Sequence, residues 1–77
     1  MRRLGKIIHL SRSGNLILRL EANNYPALGE RVVDSRLKEI GRIQDVFGPS
    51  AKPYISISPT MNDPRSLIGK IAYSDQR

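Results

Sequence analysis

Cysteine and tryptophan are both absent from the 77 residues. The first absence excludes a disulfide framework and a thiol nucleophile. With only one histidine, His9, and no thiolate, a structural or catalytic zinc site is nearly excluded as well. Aromatics are scarce, four side chains in all (Tyr25, Phe47, Tyr54, Tyr73). No apolar run approaches the ~18 residues of a membrane span. The opening Met1-Arg2-Arg3-Leu4 is like a signal peptide only superficially: Lys6 and His9 interrupt the apolar stretch and no small-residue cleavage site follows. The expected compartment is the cytoplasm. At this length one domain, residues 1–77, is the ceiling, and it buries only about 60% of its unfolded surface.

What the chain does have is positive charge and frequent turns. Thirteen Lys and Arg oppose seven Asp and Glu, for a net +6. Such a surface favours polyanions and acidic partners. The basic residues are scattered from Arg2 to Arg77 with no block of five, so a place inside a ribonucleoprotein fits as well as direct nucleic-acid binding.

Six glycines and five prolines cut the chain into short pieces, and helical periodicity is poor throughout. The spacing predicts strands over Leu4–Leu10, with Leu4, Ile8 and Leu10 on one face and Ile7 on the other, and over Leu16–Leu20. Turn residues 11–15 join them as a hairpin. Residues 23–30 read as a loop. Further strands are expected at Arg31–Asp34, Leu37–Phe47 (interrupted by Gly41), Tyr54–Ser58 and Gly69–Tyr73. Asn62-Asp63-Pro64-Arg65 reads as a cap and one helical turn. Any tail is confined to Ser74–Arg77. Short strands with turn signals every 8–12 residues predict an all-β fold, and closure into a small antiparallel barrel removes edges that so short a chain cannot cover.

Catalytic chemistry is hard to find. His9 reads as a half-exposed strand residue with no acid or nucleophile placed beside it. Asp34 and Asp45 are the candidate acid–base pair, but Asp34 reads better as a turn residue bonding the backbone, and Asp45 as a partner for an Arg. No phosphate loop, nucleophile elbow or metal-ligand spacing occurs, so an enzyme is not expected, and no cofactor or metal is implied. One stretch stands out: Gly41-Arg42-Ile43-Gln44-Asp45-Val46-Phe47-Gly48-Pro49, followed by Pro53-Tyr54-Ile55. It reads equally as strand, turn and strand with Phe47 in the core, or as a stiff, partly apolar loop that loses little entropy on docking a partner. Tyr54 beside Pro53 has the chemistry to stack a base, fill the core or touch a protein.

The G-x-[IV]-x-D-V-F-G-P run followed by P-Y-[IV] resembles the Gar-type protein of H/ACA ribonucleoprotein particles. Leu4-Gly5-Lys6-Ile7-Ile8-His9 is similar to that family's first strand, Arg31-Val32-Val33-Asp34 with Leu37 to its third strand and the step into the fourth, and Gly69-Lys70-Ile71 with Tyr73 to its closing strand. The resemblance implies a six-stranded antiparallel β-barrel with at most one short helical turn. It implies a non-catalytic subunit docked on the catalytic domain of a dyskerin-type pseudouridine synthase, meeting the guide RNA only indirectly and acting on a mobile loop over the substrate RNA. Within the carried-over motif, Phe47, Gly48, Pro49, Pro53 and Tyr54 are the expected synthase-binding residues, and Gly41, Asp45 and Val46 the structural ones. The Gly/Arg-rich tails of eukaryotic members, which are nucleolar, are not present here, so the chain looks like the minimal archaeal form. Self-association through the docking patch is expected when the synthase is absent. The reading of a different class is a small basic RNA-binding barrel of a ribosomal or other ribonucleoprotein particle.

Overall fold

Short runs rich in leucine, isoleucine and valine each have an apolar side to bury, and six such runs bury it by curling around one another. The computed structural model describes residues 2–21 and 25–75, and in it these runs are β1 (Arg2–Leu10), β2 (Leu16–Arg19), β3 (Arg31–Val33), β4 (Glu39–Phe47), β5 (Tyr54–Pro59) and β6 (Ile71–Asp75). Every neighbouring pair is antiparallel, and the order β1-β2-β5-β4-β3-β6 returns to β1 as a closed barrel. The fold is therefore the expected all-β barrel of six antiparallel strands. Asn23, Asn24, Gln76 and Arg77 of the predicted loop and tail lie outside the described residues. No helix among the described residues is long and apolar enough to cross a membrane.

The core is aliphatic: Leu4, Ile7, Leu16, Leu18, Val32, Ile55 and Ile57 are wholly buried, and Leu67 of a 3-10 turn (Pro64–Leu67) plugs one end. That turn is the expected helical one with proline at its start, but Asp63 does not cap it with its side chain. Instead the Ser66 hydroxyl donates to the Asp63 carbonyl at 2.9 Å. In β2 the alternation holds, with Leu16 and Leu18 inward and Arg19 exposed. In β1 it does not. Leu4 and Ile7 both face the core, whereas Ile8 is 49% exposed. Register shifts at Arg3/Gly5 against β6 and at Ile7/His9 against β2 change the inward phase, so the predicted faces of this strand are corrected.

Boundaries move as well: β1 starts at Arg2, β2 stops at Arg19, β5 runs to Pro59 and β6 starts at Ile71, and three further shifts have a visible cause. β4 begins at Glu39 rather than Leu37, because Leu37 takes the left-handed conformation (φ 66°) at the tip of the β3–β4 hairpin. Asp34 leaves β3 to hold that tip: its Oδ1 accepts the Arg36 and Lys38 N–H groups at 2.8 and 3.0 Å. β6 runs on to Asp75, since Arg31, Val32 and Val33 pair with Asp75, Ser74 and Tyr73. Gly41 is buried where β4 crosses β5. A Cβ there would overlap the Ser58 carbonyl oxygen and come within 2.7 Å of Ile57 Cγ2.

β3 is also tied down by charge. Arg31 donates to Glu39 of β4 at 3.0 Å and to Asp75 of β6 at 2.7 Å. Glu39 further accepts the Thr60 hydroxyl at 3.1 Å and lies 3.6 Å from Arg42. The Ser74 hydroxyl, wholly buried, donates to the Glu30 carboxylate. The Thr60 hydrogen bond, then Arg31 and Arg42, hold the Glu39 carboxyl below its ordinary value of 4.5 against the opposing effect of desolvation.

Two outcomes follow from this packing. Gly41→Ala forces β4 and β5 apart and lowers stability by about 3 kcal/mol in urea unfolding. For Glu39, the folded state favours the ionised form. Its contribution is complete above the unfolded value near 4.5 and is lost as pH falls through the lower folded value. Glu39→Gln should flatten that acid limb of the stability–pH curve; an unchanged limb would remove Glu39 from it.

Candidate docking surface at the aromatic end of the barrel

Odd strands run one way and even strands the other. The β2–β3 and β4–β5 connections therefore share one end of the barrel, and the β1–β2, β3–β4 and β5–β6 connections share the opposite end. Phe47 closes β4 and Tyr54 opens β5, directly across from one another. Their rings stack with centroids 5.8 Å apart and planes at 26°. Phe47 is 42% exposed, so the placement of Phe47 in the core is excluded: the register shift between Ile43 and Asp45 leaves Val46 half-buried and turns Phe47 outward. Tyr54 is half-buried beneath this pairing, and Arg19 of β2 is its partner on the other side.

The turn between the two rings is shaped by glycine and proline. Gly48 takes φ 91°, and a Cβ on it would sit 3.0 Å from Tyr54 Cδ2. Pro49 is exposed at the turn. Pro53, expected at the partner surface, is buried instead; its carbonyl accepts the Leu20 N–H at 2.9 Å and so anchors the turn to the end of β2. Asp45 also departs from expectation. Its Oδ1 accepts the Val46 N–H at 2.8 Å, and it joins no ion pair among the described residues.

One residue of this surface was not picked out as a site residue from the sequence. Tyr25, 53% exposed, reaches across from the β2–β3 connection and donates its hydroxyl to the Ser50 carbonyl at 2.6 Å. The signal available was a second aromatic–proline step, Tyr25-Pro26, inside a loop. The two connections at this end are thus joined, and Tyr25, Phe47, Pro49 and Tyr54 form a rigid, largely apolar rim.

Elsewhere the chemistry is already matched. Asp34 sits on the hairpin at one end and Asp45 in the half of β4 nearer the other, so they do not form a pair. His9 is exposed on β1. A groove of about 500 Å³, lined by Leu28, Glu30, Arg31, Arg42 and Asp75 among others, contains the Arg31–Asp75 ion pair. Among the described residues no group of three metal-ligating side chains comes together.

Taken together, the chain is a small closed antiparallel β-barrel with an aromatic rim at one end. No family model matches it. It is 43% identical over 60 residues to an uncharacterized protein of Methanothermobacter thermautotrophicus, a match spanning 78% of this chain and 63% of that protein. It is 41% identical over 58 residues to an uncharacterized protein of Methanocaldococcus jannaschii, spanning 75% of this chain and 68% of that one. The chain belongs to the family of this Methanocaldococcus protein, and it spans about two-thirds of the length of these archaeal relatives.

Gly48→Ala tests how the rim is built. The substitution both strains a left-handed residue and presses on the Tyr54 ring, so a loss of about 1–2 kcal/mol is expected. The near-ultraviolet tyrosine circular dichroism should change with it. A full-strength tyrosine signal would mean that Gly48 does not set the ring position.

Proposed function

We propose that this chain is a non-catalytic docking subunit of an RNA-guided H/ACA pseudouridine synthase particle, seated by its aromatic end on the catalytic domain of a dyskerin-type synthase. The observation that carries the reading is that Phe47 and Pro49 of the motif resembling the Gar-type protein are exposed and gather with half-buried Tyr54 and exposed Tyr25 at one end of the barrel. The six-stranded barrel is the fold that this resemblance implies. In this reading Phe47, Pro49 and Tyr54 touch the synthase and Tyr25 joins them. Gly48 and buried Pro53 hold the turn from behind, and Gly41, Asp45 and Val46 hold β4. The protein works in the cytoplasm and meets the guide RNA only through the synthase.

The mechanism needs no reacting group on this chain. A subunit that binds one state of the synthase's substrate-covering loop better than another shifts that equilibrium by the difference in affinity. Where loading or release limits turnover, the shift raises the rate without altering the chemical step. The rim is suited to this because the Tyr25–Ser50 bond and the ring stack fix its shape before binding, which limits the entropy lost on docking. The same rim left uncovered is the surface through which the free protein would self-associate.

Binding to purified dyskerin-type synthase without RNA is the test. A complex that survives high salt is expected, since the centre of the interface is apolar. Tyr54→Ala and Phe47→Ala should each weaken it by about 2 kcal/mol, roughly 30-fold in Kd, with the barrel still folded. Absence of a complex, or affinity unchanged in both variants, overturns the proposal.

A further inference from the structure

The basic residues are scattered in sequence but not in space. The three connections that share the end opposite the aromatic rim carry Arg12, Arg36, Lys38, Arg65 and Lys70, and Lys6 joins them across from Ile71 at the start of β6. All six are exposed, and none makes an ion pair among the described residues. The same connections carry two carboxylates, Asp34 and Asp63. Asp34 is engaged with backbone N–H groups, and Glu39 nearby is held by Arg31, Arg42 and Thr60. Toward the aromatic end Arg3 is paired with Glu21 and Arg31 with Asp75, while Arg2, Arg19 and Lys52 join no ion pair among the described residues. With six such cations against three, the larger share of the unpaired positive charge lies at the end opposite the rim.

A groove of about 440 Å³ brings part of this charge onto a ring: Arg36, Lys70, Ile71 and Tyr73 are among its walls, together with Asp34, whose carboxylate is turned to the backbone N–H groups of its own hairpin. Tyr73 lies half-buried on the outer side of β6, so its ring forms part of the groove and not of the core. The tip that presents Arg36 and Lys38 is rigid. Leu37 is locked between them at φ 66°, its N–H donates to the Asp34 carbonyl at 3.0 Å, and the Asp34 carboxylate holds the N–H groups on either side.

We infer that this end of the barrel binds a single strand of nucleic acid, with Arg36 and Lys70 on its phosphates and a base against Tyr73. Cations dispersed over three connections suit a ligand whose charge is itself repeated along a chain. The half-buried Tyr73 ring in the groove wall between two of them adds a face for stacking, which an acidic peptide would leave unused. The inference stands apart from the synthase reading, because it uses the opposite end of the barrel and a different ligand. One chain would then hold a protein at its aromatic end and a strand at its cationic end.

The experiment is fluorescence anisotropy of the full chain with a short labelled oligouridine, the matching oligothymidine, a duplex and polyglutamate, across a salt series. Single strands should bind, with log K falling against log salt by about 0.7 for each phosphate engaged. Arg36→Gln with Lys70→Gln should lose about tenfold or more and make the slope shallower by about 1.4. Arg19→Gln with Lys52→Gln, on the aromatic side, removes the same charge and should lose much less. Tyr73→Leu should weaken binding about tenfold while Tyr73→Phe keeps it, as stacking requires. Preference for the oligouridine or equal binding of both strands supports the inference and tells whether the 2′-hydroxyl is read. Equal loss in the two double variants, tighter binding of the duplex, equal binding of polyglutamate, or no binding at all overturns it.

Discussion

Closure of this barrel rests on three residues. β3, Arg31–Val33, is the strand that joins β4 to β6, and without it the sheet would end in two open edges. Three residues supply few ladder bonds, so β3 is held by other means. Val32 is buried in the core and Val33 is fully covered, while the Arg31 guanidinium bridges the carboxylates of both neighbouring strands. Exposed ion pairs contribute little singly. Here the two pairs share one planar cation, and one carboxylate, Asp75, is largely covered, so the arrangement fixes register as well as adding attraction. A short chain without disulfides has little margin for a loose seam, and this is where a loose seam would form.

Closure also decides where function can sit. With both faces of every strand committed, to the core inside and to neighbours and solvent outside, the freely variable surface is the connections. Alternating strand direction divides those into two sets. Two connections make an apolar rim, tied across by Tyr25 and Ser50. The other three gather cations, with the Asp34 carboxylate taken up by backbone N–H groups and the Glu39 carboxylate by Arg31. The wall between them is β-ladder, which transmits position and little motion. Such a molecule is suited to holding two things at a fixed separation.

Some of this is legible in the sequence and some is not, for physical reasons. The alternation of Leu16, Leu18 and Leu20, and of Ile55 and Ile57, reads directly as core. β1 does not, because one register shift at Arg3/Gly5 puts Leu4 and Ile7 on the same side and a second at Ile7/His9 brings Leu10 back against the core, which a simple period of two cannot represent. Leu37 is misread as strand because its left-handed backbone is imposed by the Asp34 turn and not by its own preference. Pro53 looks like a contact residue and is buried, since a proline's stiffness says nothing of which side of a turn it faces. The Arg31 bridge spans 44 residues to Asp75, so no local pattern announces it. The charge map is the plainest case: six of the thirteen basic residues, spaced from Lys6 to Lys70, meet at one end only because every second connection returns there.

The two ends differ in the physics they use, and this bears on how they would act together. An apolar rim draws its affinity from area removed from water and is indifferent to salt to first order. A dispersed cationic end draws its affinity from displaced counterions and weakens steeply as salt rises. A protein held at the first would stay in place while a strand at the second came and went with ionic conditions and with its own length. That asymmetry fits a permanent subunit facing a transient polymer. It requires no conformational change in the barrel, whose closed ladder and Arg31 bridge resist one, and it places the adjustable part of any mechanism in the partners.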